Sequence, residues 1–474
     1  MRKTKIVCTL GPASSTPEVM EQMLRNGMNV ARLNFSHGTH EGHKKMIETF
    51  RAVRDKLDVP AAVLLDTKGP EIRLGLFKGG KVDFATGSTV TLTTNEVEGT
   101  SEIAQISYKD LPRQVGPGKR ILLDDGRLAL EVVEVPNETD IVCKVVEGGW
   151  ISDRKGVNVP YTHLDFEFLS EKDKEDLRFA IENDVDFIAA SFVRSKDDVI
   201  QMRKYLDYYG GHDIKIIAKI ENMEGVENFS EILRHADGIM VARGDMGVEI
   251  EYERLPGLQK RFIRECYQAG KMVITATQML ESMAQRTTPT RAEITDVANA
   301  VFDGTSAIML SGETAMGAHP PLVVKVMAKI ARQAEHDAFE MGIYKAAAFE
   351  NDMEDITNAI CDAACTTARD VHAEAIIAVT KSGYTARRVS KFRPIHKIVA
   401  ATPMVKAYHQ LALSWGVYPV LALYQQDANQ LFRHAIDCAL KYDLVKVGDN
   451  VVITAGVDGT TNSIKLAKVP GHKR

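Results

Sequence analysis

The 474-residue sequence predicts an α/β protein: a (β/α)8 barrel carrying an inserted β-rich lid domain and followed by a smaller α/β domain. Three observations carry this. Short apolar runs alternate with amphipathic segments through most of the chain. One long interval between two runs reads as short strands and turns. The final segment repeats the α/β alternation on its own.

The apolar runs are KIVCTL (5–10), NVARLNFS (29–36), AAVLLDT (61–67), DFIAASF (186–192), IKIIAKI (214–220), GIMVAR (238–243), MVITAT (272–277) and SAIMLS (306–311). Each is short, rich in β-branched residues and continuously apolar, as strands buried on both faces are. Helical patterns fit between most of them, at 18–27, 40–56, 170–183, 195–209, 227–235, 255–269 and 290–302. Two open with capping boxes, Ser170 with Asp173 and Thr290 with Glu293. Between the third and fourth runs, 72–77, 81–84, 88–94, 121–124, 128–135 and 140–146 read as strands separated by Gly, Asn and Asp turns. Four further runs, AIIAVT (375–380), KIVAAT (397–402), VYPVLAL (417–423) and VVITAG (451–456), predict a doubly wound terminal domain. The predicted partition is a barrel of 1–69 and 168–340, a lid of 70–167 and an α/β domain of 341–474.

Composition narrows the function classes. Hydrophobic residues make up 45% and charged residues 26%, ordinary values for a globular chain. The net charge of −5 argues against a nucleic-acid surface. No apolar run is long enough to span a membrane. The N-terminus enters a strand directly, without the apolar stretch of a signal peptide, so a cytoplasmic location is expected. The six cysteines include no CxxC pair. Cys361 and Cys365 stand one helical turn apart without a second pair, which predicts buried thiols.

The chemistry gathers where the barrel strands end. The runs close in TLGP, RLNFSH, DTKGPEIR, SFVR, KIEN, ARGD, ATQ and LSGET. In a (β/α)8 barrel these ends form one rim, so polar and charged groups collect there and ask for a multiply charged ligand. Lys219 and Glu221 lie two apart on one strand and share a face. Asp245 follows the next strand. Carboxylates on adjacent strands suit Mg2+ or Mn2+, and an ion pair with Lys219 would use the same groups. Arg32 and Arg73 add guanidinium groups suited to phosphate. A metal held by carboxylates among fixed cations is the apparatus of phosphoryl transfer. No P-loop motif occurs.

The motifs RKTKIVCTLGPAS, NVARLNFSHG, LLDTKGPEIR, KGVNVP, IIAKIENMEG, GIMVARGDMGVEI, ITATQMLESM, PTRAEITDVANAVFDGTSAIMLSGETA and GTTN run in order from near the first residue to near the last. In them the chain resembles the pyruvate kinase family. The resemblance implies transfer of a phosphoryl group from phosphoenolpyruvate to ADP, giving pyruvate and ATP. Glu221 and Asp245 match divalent-metal ligands, for Mg2+ or Mn2+. Lys219 and Arg32 match the cations on the phosphoryl group in flight. Thr277 matches a residue beside the enolpyruvate. Ser311 and Glu313 match the turn that orders a proton-donating water. The Gly244 and Asp245 amides match the cradle for the substrate carboxylate. Asn34, Ser36, Asp66 and Thr67 match a K+ site, and Glu71 is the variant associated with K+ dependence. Asn34, His37, Arg73, Lys155 and Asp125 match nucleotide contacts.

In the terminal domain, Thr380, Lys381, Ser382, Gly383, Tyr384 and Thr385 match a turn that binds an effector phosphate at a helix N-terminus. The loop expected to close over it, 455–462, is short. This disfavours fructose 1,6-bisphosphate and leaves AMP or another sugar phosphate. The resemblance implies a homotetramer. The chain starts at the first strand and carries no further C-terminal domain, which suggests a bacterial form. Two rival readings use the same residues: a metal-dependent C–C lyase or aldolase, and a silent relative that binds metabolites.

Overall fold

The computed structural model describes residues 1–344, 356–424, 427–456 and 460–471. Residues 457–459 of the expected effector loop therefore lie outside the described residues. Eight parallel strands close into a barrel: Lys5–Thr9, Val30–Asn34, Ala62–Asp66, Phe187–Ala190, Lys215–Ile220, Gly238–Ala242, Met272–Ala276 and Ala307–Leu310. Each coincides with one of the eight apolar runs.

The strand period of two organises the barrel interior. Val7, Val30, Leu64, Ala189, Ile217 and Met309 belong to one inner apolar cluster. Two residues further along the same strands stand Thr9, Arg32, Asp66, Ser191, Lys219 and Ser311. The interior is thus apolar below and polar at the C-terminal rim. The alternate residues, among them Ile6, Ala31, Val63, Ile188 and Ile216, pack outward against the helices. This double burial is why the strands read as continuous apolar runs rather than alternating ones.

Both predicted capping boxes form, and a third appears at Ser195 with Asp198. The segment expected as one helix over 227–235 is two, Met223–Glu227 and Phe229–His235. The break falls at Asn228, whose side-chain amide donates to the Arg194 carbonyl at 2.9 Å. The helix Pro320–Glu340 follows the last barrel strand and packs on the helices Arg291–Phe302 and Pro17–Asn26. Its alanine-rich buried face gave a weak pattern, although Pro at its start is a usual N-terminal signal.

The inserted segment has its own core, built on a seven-stranded sheet and a two-stranded one. Strands Ile103–Gln105, Gly149–Ser152 and Gly156–Asn158 escaped the sequence reading because three or four residues carry no period. The run 72–77 pairs regularly only over Ile72–Arg73, then continues as isolated bridges at Leu74 and Phe77. After the barrel, four parallel strands form as expected, and Ser463–Lys468 adds an antiparallel edge. No helix among the described residues is long and apolar enough to cross a membrane.

Candidate active site

Lys219 answers for the polar rim. Its ammonium lies 3.1 Å from Asp66 Oδ1 and 2.9 Å from Glu221 Oε1, and it donates to Ser191 Oγ at 2.7 Å. Burial works against its charge, but Asp66, Glu221 and Asp245 outweigh burial and hold the ammonium above its usual range. Arg32 donates to Asp66 Oδ2 at 2.7 Å and to Thr9 Oγ1 at 2.8 Å. Burial disfavours the Asp66 anion; Arg32 and Lys219 reverse this and push its carboxyl below the usual value. Five strand ends therefore converge on one charged knot inside the rim.

Glu221 is fully buried. Its Oε2 accepts the Phe192 amide at 2.6 Å. Its Oε1 faces the Lys219 ammonium at 2.9 Å. Burial and Asp245 together push its carboxyl upward. A buried carboxylate beside a second carboxylate is a hard-oxygen donor set, and it fits a divalent cation.

Thr277 ends the seventh barrel strand with φ +66°, left-handed backbone that a β-branched residue rarely adopts. This turn aims its hydroxyl at the neighbouring strand end, where Oγ1 accepts the Gly244 amide at 2.8 Å. Arg243 fixes the same turn by donating to the carbonyls of Ala276 and Thr277. Gly244 and Asp245 lie in the first turn of the helix Arg243–Glu249. Glu313 is fully buried, and its carboxylate accepts the amides of Leu280 and Ser311. It ties the seventh and eighth strand ends together.

The pairing register sets Asn34 directly opposite Asp66. Asn34 Oδ1 accepts the Ser36 amide at 3.1 Å, and the Thr67 carbonyl accepts from Ser191 Oγ at 2.7 Å. Asn34, Asp66 and Thr67 thus lie together at the rim, while Ser36 is exposed and reaches Asn34 through its amide. Ser191 is the contact the sequence reading missed. Its SFVR run was placed at the rim, but a lone serine carries no spacing signal.

A cleft of about 660 Å³ separates the rim from the lid. Asp245 and Phe192 line its barrel side; Glu71, Arg73, Asp124, Asp125, Lys155 and Asn158 line it toward the lid. Lys219, Arg32 and Thr277 do not line it; the two cations are buried and Thr277 is half-buried. The Glu71 carboxylate is held by Lys68 at 2.8 Å and by Arg73 through two hydrogen bonds. Lys155 pairs with Asp124 at 2.8 Å, while Asp125 stands alongside. Asn158 Nδ2 donates to Glu249 Oε1 at 2.8 Å, a direct tie between lid and barrel. His37 is exposed and apart from the cleft; its carbonyl contacts the His43 ring.

Residues 1–324 match the family model for the pyruvate kinase barrel domain, and residues 358–467 match that for the pyruvate kinase alpha/beta domain. The chain belongs to the pyruvate kinase family. A pyruvate kinase of Clostridium acetobutylicum is 46% identical over 474 residues, covering 99% of this chain and 100% of that one. One from Staphylococcus aureus is 46% identical over 473 residues, covering 98% of this chain and 80% of its own. The crystal structure of a pyruvate kinase from Cryptosporidium parvum superposes with a TM-score of 0.92 at 40% identity, over 99% of this chain and 96% of that one. The chain is a phosphotransferase of the pyruvate kinase reaction, with phosphoenolpyruvate and ADP as substrates. A lyase reading has no support in these relatives.

The terminal turn is also built. Gly383 has φ +81° and donates its amide to Thr380 Oγ1 at 3.0 Å, directly before the helix Tyr384–Lys391. Thr385 Oγ1 lies 2.7 Å from Thr461 Oγ1, which brings the GTTN segment against this turn. Lys381 sits over the Tyr424 ring, and its carbonyl accepts from Thr402.

Proposed function

We propose that Lys219 and Arg32 carry the transferring phosphoryl group. The observation that supports this most is their shared seat on Asp66, two fixed cations buried behind the cleft. Donor and acceptor are both polyanions, so their approach is repulsive. Preset positive charge offsets this and stabilises the loose transition state. The barrel holds both groups in place before substrate arrives, so little reorganisation is needed.

Glu221 and Asp245 would hold Mg2+ or Mn2+, and Asn34, Ser36, Asp66 and Thr67 would hold K+. When bound, these ions supply additional positive charge to the phosphate oxygens. The chain's own groups do the rest. The Asp245 amide, and the Gly244 amide in exchange for its bond to Thr277 Oγ1, receive the substrate carboxylate at a helix N-terminus. Thr277 stands beside the enolpyruvate carbon, and Ser311 with Glu313 orders the water that protonates it. Arg73, Lys155 and Asp125 at the cleft receive the nucleotide, with Asn34 and His37 meeting it from outside the cleft lining.

The partition into a barrel of 1–69 and 168–340, a lid of 70–167 and a domain of 341–474 belongs to the same proposal. So do a cytoplasmic homotetramer and an AMP or sugar-phosphate effector at Thr380–Thr385. The deciding experiment measures pyruvate from phosphoenolpyruvate, ADP and Mg2+, with K+ and with Na+ in its place. ADP-dependent pyruvate that needs K+ supports the ion assignment. Equal rates in the two salts overturn the K+ site.

A further inference from the structure

The two cations of the rim are seated alike. Each holds one oxygen of the same carboxylate and one neutral hydroxyl. Arg32 Nε donates to Asp66 Oδ2 at 2.7 Å, and its Nη1 donates to Thr9 Oγ1 at 2.8 Å. Lys219 Nζ donates to Asp66 Oδ1 at 3.1 Å and to Ser191 Oγ at 2.7 Å. Glu221 faces the same ammonium from another side at 2.9 Å. Thr9 is 5% exposed and Ser191 2%, so bulk water does not compete freely for either hydroxyl.

Each hydroxyl is pinned in turn. It carries one proton and accepts on its lone pairs. Thr9 Oγ1 donates to the Leu310 carbonyl at 3.1 Å, and Ser191 Oγ donates to the Thr67 carbonyl at 2.7 Å. Asp66 Oδ1 lies farther from Ser191 Oγ, at 3.2 Å, which leaves the carbonyl as the better acceptor. With its proton committed to the backbone, each hydroxyl presents a lone pair to its cation. Thr9 and Leu310 end the first and eighth barrel strands, which pair. Thr67 and Ser191 directly follow the third and fourth, which also pair. Each hydroxyl therefore bridges two neighbouring strand ends, and the barrel sets its place.

The choice of a neutral partner matters. A further carboxylate at either position would orient the cation and also cancel its charge. A hydroxyl orients it and leaves the charge available to developing negative oxygens. Arg32 Nη2 makes no hydrogen bond among the described residues, so its two seats leave one donor edge open.

We propose that Thr9 and Ser191 are positioning residues, whose hydroxyls fix the directions of Arg32 and Lys219 for phosphoryl transfer without neutralising them. This rests on the assignment of those two cations to the transferring phosphoryl group. Each hydroxyl acts through its cation.

The test uses full-length variants, assayed for pyruvate with Mg2+ and K+ in excess. Thr9→Val and Ser191→Ala remove the hydroxyls; Thr9→Ser and Ser191→Thr keep them. In the first pair kcat is expected to fall about 10–100-fold, the range for one lost hydrogen bond to a charged group. The KM for phosphoenolpyruvate is expected to change little, because the loss falls on the transition state. The second pair is expected to recover most of the rate. Two positions guard against one variant that fails to fold, and thermal midpoints are measured beside the kinetics. Wild-type kcat in Thr9→Val and Ser191→Ala would overturn the proposal, as would a raised KM at unchanged kcat. So would Thr9→Ser and Ser191→Thr as slow as the first pair, since the site would then need shape rather than a hydroxyl. Lys219→Met separates this from the reading beneath it. Turnover kept in Lys219→Met removes the phosphoryl assignment and the proposal with it. Turnover lost there but kept in Thr9→Val and Ser191→Ala removes only the positioning role.

Discussion

Lys219 Nζ lies 2.9 Å from Glu221 Oε1 and 3.1 Å from Asp66 Oδ1, one buried ammonium between two carboxylates. The pair is held by charge within a packed rim, and the Phe192 amide fixes the other Glu221 oxygen. Replacing Lys219 with Met would leave Asp66 and Glu221 buried with less compensation. Turnover is expected to fall by at least 10²–10³-fold, on the order seen for loss of one preorganised charge. The metal-free variant is expected to melt below wild type, and Mg2+ to recover part of the difference. Near-normal pyruvate release from Lys219→Met would remove it from the chemistry.

Thr277 stores backbone strain at φ +66°. Glycine adopts that conformation freely, and the strain is of order 1–3 kcal/mol. Thr277→Gly is therefore expected to keep an unfolding midpoint equal to wild type or higher, while kcat falls on the order of 100-fold. Denaturant titration beside steady-state kinetics checks it. A strongly destabilised variant would mean that the hydroxyl contact to Gly244 outweighs the strain.

Glu71 is held by Lys68 and Arg73 beside the cleft. Burial opposes its charge, but the hydrogen bonds from Arg73 and Lys68 win and keep the carboxyl below its usual range. It is an anion at every working pH. Glu71→Lys places a fixed cation there. The ratio of rates in K+ and Na+ is expected to drop toward one in this variant. An unchanged ratio would detach Glu71 from the monovalent cation.

His409 is 8% exposed, and its Nδ1 has no partner. Burial first, then Arg54, lowers its pKa from 6.5 to about 4. A depressed folded value means that the unfolded chain takes up the proton more readily. The resulting stability is fully present above pH 6.5 and is lost as pH falls through 4. Its size is up to about 3 kcal/mol. Between pH 7 and 4 the unfolding midpoint of wild type should fall more steeply than that of His409→Gln, which has no group to titrate there. Parallel curves would show that His409 does not contribute to the slope.

Asn158 donates to Glu249 across the lid and the barrel. Asn158→Ala is expected to raise the KM for ADP several-fold with a smaller change in kcat, because it loosens the lid rather than the knot. An equal fall in kcat would place Asn158 among the transition-state contacts.

Much of this protein was legible in local pattern. Strands buried on both faces must be apolar throughout, so the eight barrel strands stood out, and capping residues marked the helices Glu171–Glu182 and Arg291–Phe302. Lys219 and Glu221 could be placed on one face from their spacing alone, because a strand alternates. The motifs then carried the family. Other features depended on contacts between distant parts of the chain. Ser191 joins Lys219 to Thr67 only because the third, fourth and fifth barrel strands pair in register. Asp124, rather than Asp125, meets Lys155 because the lid strands bring them together. The three-residue strands have no period to read, and Thr277's left-handed turn follows from the packing around Arg243. Periodicity is a property of neighbours in sequence; charge balance and hydrogen-bond satisfaction are properties of neighbours in space.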